Sequence, residues 1–111
     1  MRNNEQSRRM RAAGWTSSAA YPEIAKWSAR SLGSSRDPDA LRALEAFRAA
    51  GWFEIITQEV DVQWDIDLLC DYAEEAGQPF SNWCMIYVSP SWHFLFRNDE
   101  DAIKVRLLFA L

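Results

Sequence analysis

The chain has 111 residues, 49% hydrophobic and 25% charged, with four Gly and four Pro, enough for one domain and too apolar for a disordered, collagen-like or low-complexity chain. No apolar run approaches the roughly 20 residues that span a bilayer, residues 1–13 lack the apolar stretch of a secretory signal, and two Cys cannot form a disulfide framework. A net charge of −4 disfavours a surface that binds nucleic acid throughout, and the expectation is a single cytoplasmic domain over 1–111, with a basic arm at 1–14 and an acidic body at 37–111.

Asn3 or Asn4 is placed to cap a short basic helix running to Ala13 and closed by Gly14. Its apolar content is only Met10, Ala12 and Ala13, so it must dock on something to persist. A second helix is expected from Pro22 to Gly33 through Ile24, Trp27 and Leu32, followed by a linker at 33–36. The third is the clearest: Asp37 as cap, Pro38 as first residue, then Leu41, Leu44 and Phe47 on one face until Gly51. Arg11-Ala-Ala-Gly-Trp15 recurs as Arg48-Ala-Ala-Gly-Trp52. The repeat predicts two like helix ends, each with Gly in the left-handed position and Trp folding back on the last turn.

Residues 52–62 are rich in β-branched and aromatic side chains and predict a strand. Asp65 then caps a helix with Ile66, Leu69, Cys70 and Ala73 on its apolar face, ended by Gly77 and Pro79. Two strands follow, 83–89 and 92–97, joined as a hairpin through Ser89-Pro-Ser91. Asn98 or Asp99 caps a last helix with Ile103, Leu107 and Ala110 on one face. The order αααβαββα predicts the α+β class: a three-stranded, mainly antiparallel sheet with helices packed on one face. The other face is bare unless the N-terminal helices or a partner cover it.

Two features depart from an average domain. Six Trp (Trp15, Trp27, Trp52, Trp64, Trp83, Trp92) serve either a small core or a binding surface, where Trp is enriched. Charge is also segregated. Residues 1–36 hold seven basic and two acidic residues, residues 37–111 five basic and fourteen acidic, and no Lys or Arg falls between Ala49 and Phe96. A one-signed face of this kind attracts basic partners and repels nucleic acid, or simply keeps the chain soluble.

Sites for chemistry are sparse. His93, the one histidine, sits mid-strand with Ser91 two residues away, but no nucleophile elbow, phosphate loop or zinc spacing accompanies it, so no enzyme is expected. Cys70 and Cys84 read as buried thiols that can pair only if the helix crosses that strand. Asp61, Asp65 and Asp67 lack the Gly and Glu of a calcium loop; neither metal nor other cofactor is expected. Arg8, Arg9 and Arg11 suit either phosphates or the acidic face of another copy, and the acidic body favours protein. Asp61, Asp65, Asp67, Asp71, Glu74 and Glu75, with Trp64 beside them, form the candidate partner-binding set. Asp67, Asp71 and Glu74 share a helix face, and displayed along one edge such carboxylates imitate nucleic acid.

The segment Phe94-Leu-Phe96-Arg-Asn-Asp99-Glu-Asp101-Ala102-Ile-Lys104-Val-Arg-Leu107 resembles the ending of many small phage-encoded accessory proteins, although the aromatic that often precedes the Lys is missing. The resemblance covers about an eighth of the chain and implies a strand-turn-helix ending, with no functional residue to carry over. It also implies a viral protein that binds and blocks a host factor, anti-defence inhibitors among them. The expectation is therefore a non-catalytic module that inhibits a basic host protein or nucleoprotein complex. The alternative is a structural subunit self-associating through its basic N-terminal helix and acidic body.

Overall fold

A computed structural model describes residues 2–16, 38–58, 62–88 and 91–109. They form α1 (Arg2–Ala12), α2 (Pro38–Ala49), β1 (Phe53–Gln58), α3 (Val62–Ala76), β2 (Trp83–Val88), β3 (Ser91–Phe96) and α4 (Asp99–Leu108). The fold is α+β, with one antiparallel sheet in the order β1-β3-β2. The helix expected at 22–33, its linker, the Asp37 cap and residues 89 and 90 of the hairpin connection lie outside the described residues.

Alternation along the strands sorts the sheet into two faces. Phe53 and Trp83 both stand opposite Phe96, Ile55 and Met85 opposite Phe94, and Thr57 and Tyr87 opposite Trp92, and directly opposed residues project to the same side. This face packs against Met10 and Ala13 of the N-terminal segment, Ile66, Leu69, Cys70 and Ala73 of α3, and Ala102 and Val105 of α4. The opposite face carries Cys84, Ile86 and Leu95, covered by Ala43, Leu44 and Phe47 of α2. Helices thus flank both faces rather than one, because α2 spends its Ala-lined apolar stripe on the side that the hairpin leaves bare. Trp83, Phe94 and Phe96 are fully buried, and truncating any of them to Ala costs about 3–5 kcal/mol. Tyr87 and Trp92 pair across the hairpin with ring centres 5.0 Å apart.

Both copies of the five-residue repeat end helices as expected. Trp15 N–H bonds Met10 C=O (2.9 Å) and Gly14 N–H bonds Arg11 C=O (3.0 Å); Trp52 N–H bonds Phe47 C=O and Gly51 N–H bonds Arg48 C=O, each at 3.1 Å. This paired pattern is the Schellman closure, which needs a left-handed residue at C′, and Gly14 and Gly51 have φ of 105° and 91°. Trp52 meets Phe47 edge-on at 4.8 Å, supplying the apolar contact of the motif. Trp15 instead forms a parallel bridge with Trp83, tying the start of β2 to the end of α1.

Four details differ from expectation. α1 begins at Arg2, so Asn3 and Asn4 lie within it rather than capping it; docking of Met10 and Ala13 holds this helix. β1 spans Phe53–Gln58, with Gln58 opposite Ser91, and Val62 belongs to α3. Asp65 therefore sits in the first turn of α3, favourably placed for the helix dipole, and is not the cap. In α4, Ile103 and Leu107 are exposed while Ala102 and Val105 face the core. Two tethers set that rotation: buried Asp101 accepts the Ser81 N–H (2.8 Å), and Phe109 packs edge-on against Phe94 (6.2 Å). Asn98 occupies the N-cap position without a side-chain cap bond, its amide donating instead to Ser81 Oγ at 2.7 Å.

Candidate interaction surface

The apolar face of α3 is the stripe Ile66, Leu69, Cys70 and Ala73, which leaves its five carboxylates, Asp65, Asp67, Asp71, Glu74 and Glu75, on the remaining surface with no base among them. α1 lies alongside. Gln6 Nε2 donates to Gln63 Oε1 (2.7 Å), and Gln63 Nε2 to Asp67 Oδ1 (3.0 Å). Arg9 reaches into the acids, donating from Nε to Glu74 (2.8 Å) and from a terminal nitrogen to Asp71 (2.6 Å), with Asp67 at 4.0 Å. Asp67, Asp71 and Glu74 thus share one face, as their spacing predicts. Hydrogen bonds to Glu74 and then Asp71 raise the guanidinium's already high pKa, and Arg9 in turn lowers that of Glu74.

Arg8, Arg9 and Arg11 do not act as one arm. Arg9 is committed to α3, whereas Arg8 and Arg11 are exposed, since three residues along a helix return to nearly the same side and one residue does not. The basic helix finds its acidic partner within its own chain. Trp64 is 58% exposed and, at 100° per residue, lies within about 20° of Asp71 and Glu75 around the helix. Asp61 lies outside the described residues. The other Trp side chains of the described residues are core: Trp83 and Trp52 are buried, and Trp15 and Trp92 pack against the buried cluster.

A second constellation was not legible from the sequence. On the α2 side of the sheet, Arg48 grips Glu54 with two nitrogens (2.7 and 2.8 Å), and the second oxygen of Glu54 meets His93 Nδ1 at 2.5 Å. Burial opposes ionisation of Glu54, but hydrogen bonds from Arg48 and His93 outweigh it and lower its pKa. The carboxylate orients the imidazole, as in a catalytic dyad, yet the partner of His93 is Glu54 and not Ser91. A signal existed: Glu54 and His93 both fall on the outward set of their strands, but only the register Glu54↔Leu95 and Ile56↔His93 brings them together.

Cys70 and Cys84 are free and buried. They lie on opposite sides of the sheet, so the helix does cross the sheet but not on the side of Cys84, and they cannot pair. Burial pushes the Cys70 thiol up to about 11, against the pull of Arg9, and raises Cys84 further. A cleft of about 240 Å³ between α1 and α3, lined by Gln6, Arg9, Gln63, Asp67 and others, is below the roughly 300–1,000 Å³ of small-molecule pockets. Among the described residues no group of three or more His, Cys, Asp or Glu is placed to hold a metal, and no helix is long and apolar enough to cross a membrane. Comparison with protein-family models, with curated proteins and with solved structures returned no match.

Proposed function

We propose that this chain is a non-catalytic protein-binding module whose working surface is the solvent side of α3, taking a basic protein surface and occluding it. The observation that carries this is the alignment of exposed Trp64 with Asp71 and Glu75 on a helix bearing five carboxylates and no base. Trp is enriched at the energetic centres of interfaces, and charge of one sign beside it attracts a partner of the opposite sign. Arg9 brings one positive charge to a helix that carries five carboxylates. Because Arg9 stands among Asp67, Asp71 and Glu74, the part of the display that it leaves clear runs from Trp64 to Glu75. That stripe suits a protein partner with clustered Arg better than imitation of a regular phosphate backbone.

The test is calorimetric titration with an oligo-arginine peptide. Trp64→Ala and Glu75→Lys are each expected to weaken binding, and added salt to weaken it further. Trp64→Ala binding as well as the unaltered chain would show that charge alone attracts the peptide, and the proposal would fail.

A further inference from the structure

The two edges of the sheet are treated differently. The outer edge of β2 is covered at its start by the segment around Trp15, where Thr16 N–H donates to Trp83 C=O and Gly14 C=O accepts from Trp83 N–H. The outer edge of β1 pairs with no strand among the described residues. Edge strands are ordinarily guarded by Pro, Lys, a bulge or an inward charge. Phe53–Gln58 contains no Pro, Gly or Lys, pairs with β3 through six unbroken positions, and turns its only charge, Glu54, toward Arg48 and His93.

Beside this open edge lies the outward stripe of α4. Four of the six large apolar side chains exposed among the described residues belong to these two elements: Phe53 (42%), Ile56 (48%), Ile103 (54%) and Leu107 (76%). Arg106 of α4 joins Glu54, Ile55 and Ile56 around a groove of about 260 Å³. The charges of α4 are ordered along it, with Asp99 and Glu100 in the first turn and Lys104 and Arg106 in the second half. Among the described residues, Glu100, Lys104 and Arg106 form no ion pair within the chain.

Glu100 and Arg106 stand three residues to either side of Ile103. If two α4 helices pack antiparallel about a two-fold axis at Ile103, each Glu100 meets the other copy's Arg106, and Ile103 meets its counterpart. Because α4 and β1 share one groove, the proposed dimer places β1 of each copy antiparallel to β1 of the other. An isologous contact requires this kind of self-complementarity. We propose that the open edge of β1 and the outer stripe of α4 together form a self-association surface whose occupant is a second copy of this chain. The surface shares no residue with the acidic stripe of α3, so its failure would leave the protein-binding reading untouched.

Sedimentation equilibrium over a concentration series tests it on the full chain. The unaltered protein is expected to approach twice 12.8 kDa at high concentration. Glu100→Arg, Arg106→Glu and Ile56→Lys each weaken the dimer by at least about tenfold, and the double variant Glu100→Arg/Arg106→Glu restores it. All of these side chains are exposed or line the open groove, and far-UV circular dichroism verifies that each variant folds. A monomer up to the solubility limit would overturn the proposal. So would a dimer indifferent to Ile56→Lys, or a double variant that fails to recover.

Discussion

Gly14 and Gly51 occupy the same place in the same five-residue motif with similar backbone angles, yet substitution by Ala is expected to cost different amounts. A left-handed conformation penalises any side chain with a Cβ by roughly 1–2 kcal/mol, and this term is common to both, since φ is +105° and +91°. At Gly51 nothing lies within 4 Å of the added Cβ, so Gly51→Ala costs about 1–2 kcal/mol. At Gly14 the Cβ would stand 2.2 Å from the Phe80 carbonyl oxygen and 2.9 Å from its carbon. That backbone can retreat only by loosening two hydrogen bonds, Phe80 N–H to Ala13 C=O (3.0 Å) and Trp83 N–H to Gly14 C=O (3.1 Å). At about 0.5–1.5 kcal/mol each, their loss brings Gly14→Ala to about 2–5 kcal/mol. Urea unfolding followed by tryptophan fluorescence measures both. Equal costs, within about 0.5 kcal/mol, would refute the argument that close approach of the 78–82 segment selects Gly14.

The Thr57 hydroxyl is buried without a hydrogen-bond partner among the described residues, so Thr57→Val, which keeps the shape and removes the orphan, should stabilise the fold by about 1 kcal/mol in the same unfolding assay. Glu54 has a pKa below its usual 4.5, so the folded state binds fewer protons there than the unfolded chain. Its stabilisation is present above that usual value and is lost as pH falls through the lower folded-state value; Glu54→Gln should flatten the acid limb of a stability–pH profile, and an unchanged limb would sink the assignment. Cys70 and Cys84, buried and with raised pKa values, should resist an aromatic disulfide reagent at pH 8 in native buffer and both react in denaturant. Fast native labelling of either would contradict the packing.

Local pattern was the reliable part of the sequence. The switch from helical to alternating period marks β1, the apolar stripe of α3 appears as read, and the repeated Arg-Ala-Ala-Gly-Trp closes two helices, because each depends on residues within a turn or a strand of one another. The surface was legible in part. Spacing alone put Asp67, Asp71 and Glu74 on one face, but which base would answer them depends on how α1 docks, and Arg8 and Arg11 in the same run point elsewhere. The stripe Ile103 and Leu107 looked like core because it is the largest apolar pair in its helix. The tether of Asp101 to Ser81, eighteen residues before α4 begins, turned that pair to solvent instead.

By itself, then, the sequence determines the class and order of the described elements and the left-handed glycines that end two helices. Tertiary structure decides the rest: α2 on the far side of the sheet, Glu54 bonded to His93, Arg9 among the carboxylates, and a β1 edge that no described strand pairs. The two copies of Arg-Ala-Ala-Gly-Trp show why. Their backbone hydrogen bonds match because those bonds run within six residues. Yet Arg48 is held by Glu54 while Arg11 forms no ion pair among the described residues, and Trp52 meets Phe47 while Trp15 bridges to β2. Those contacts depend on strand register and helix docking, which no five-residue pattern encodes.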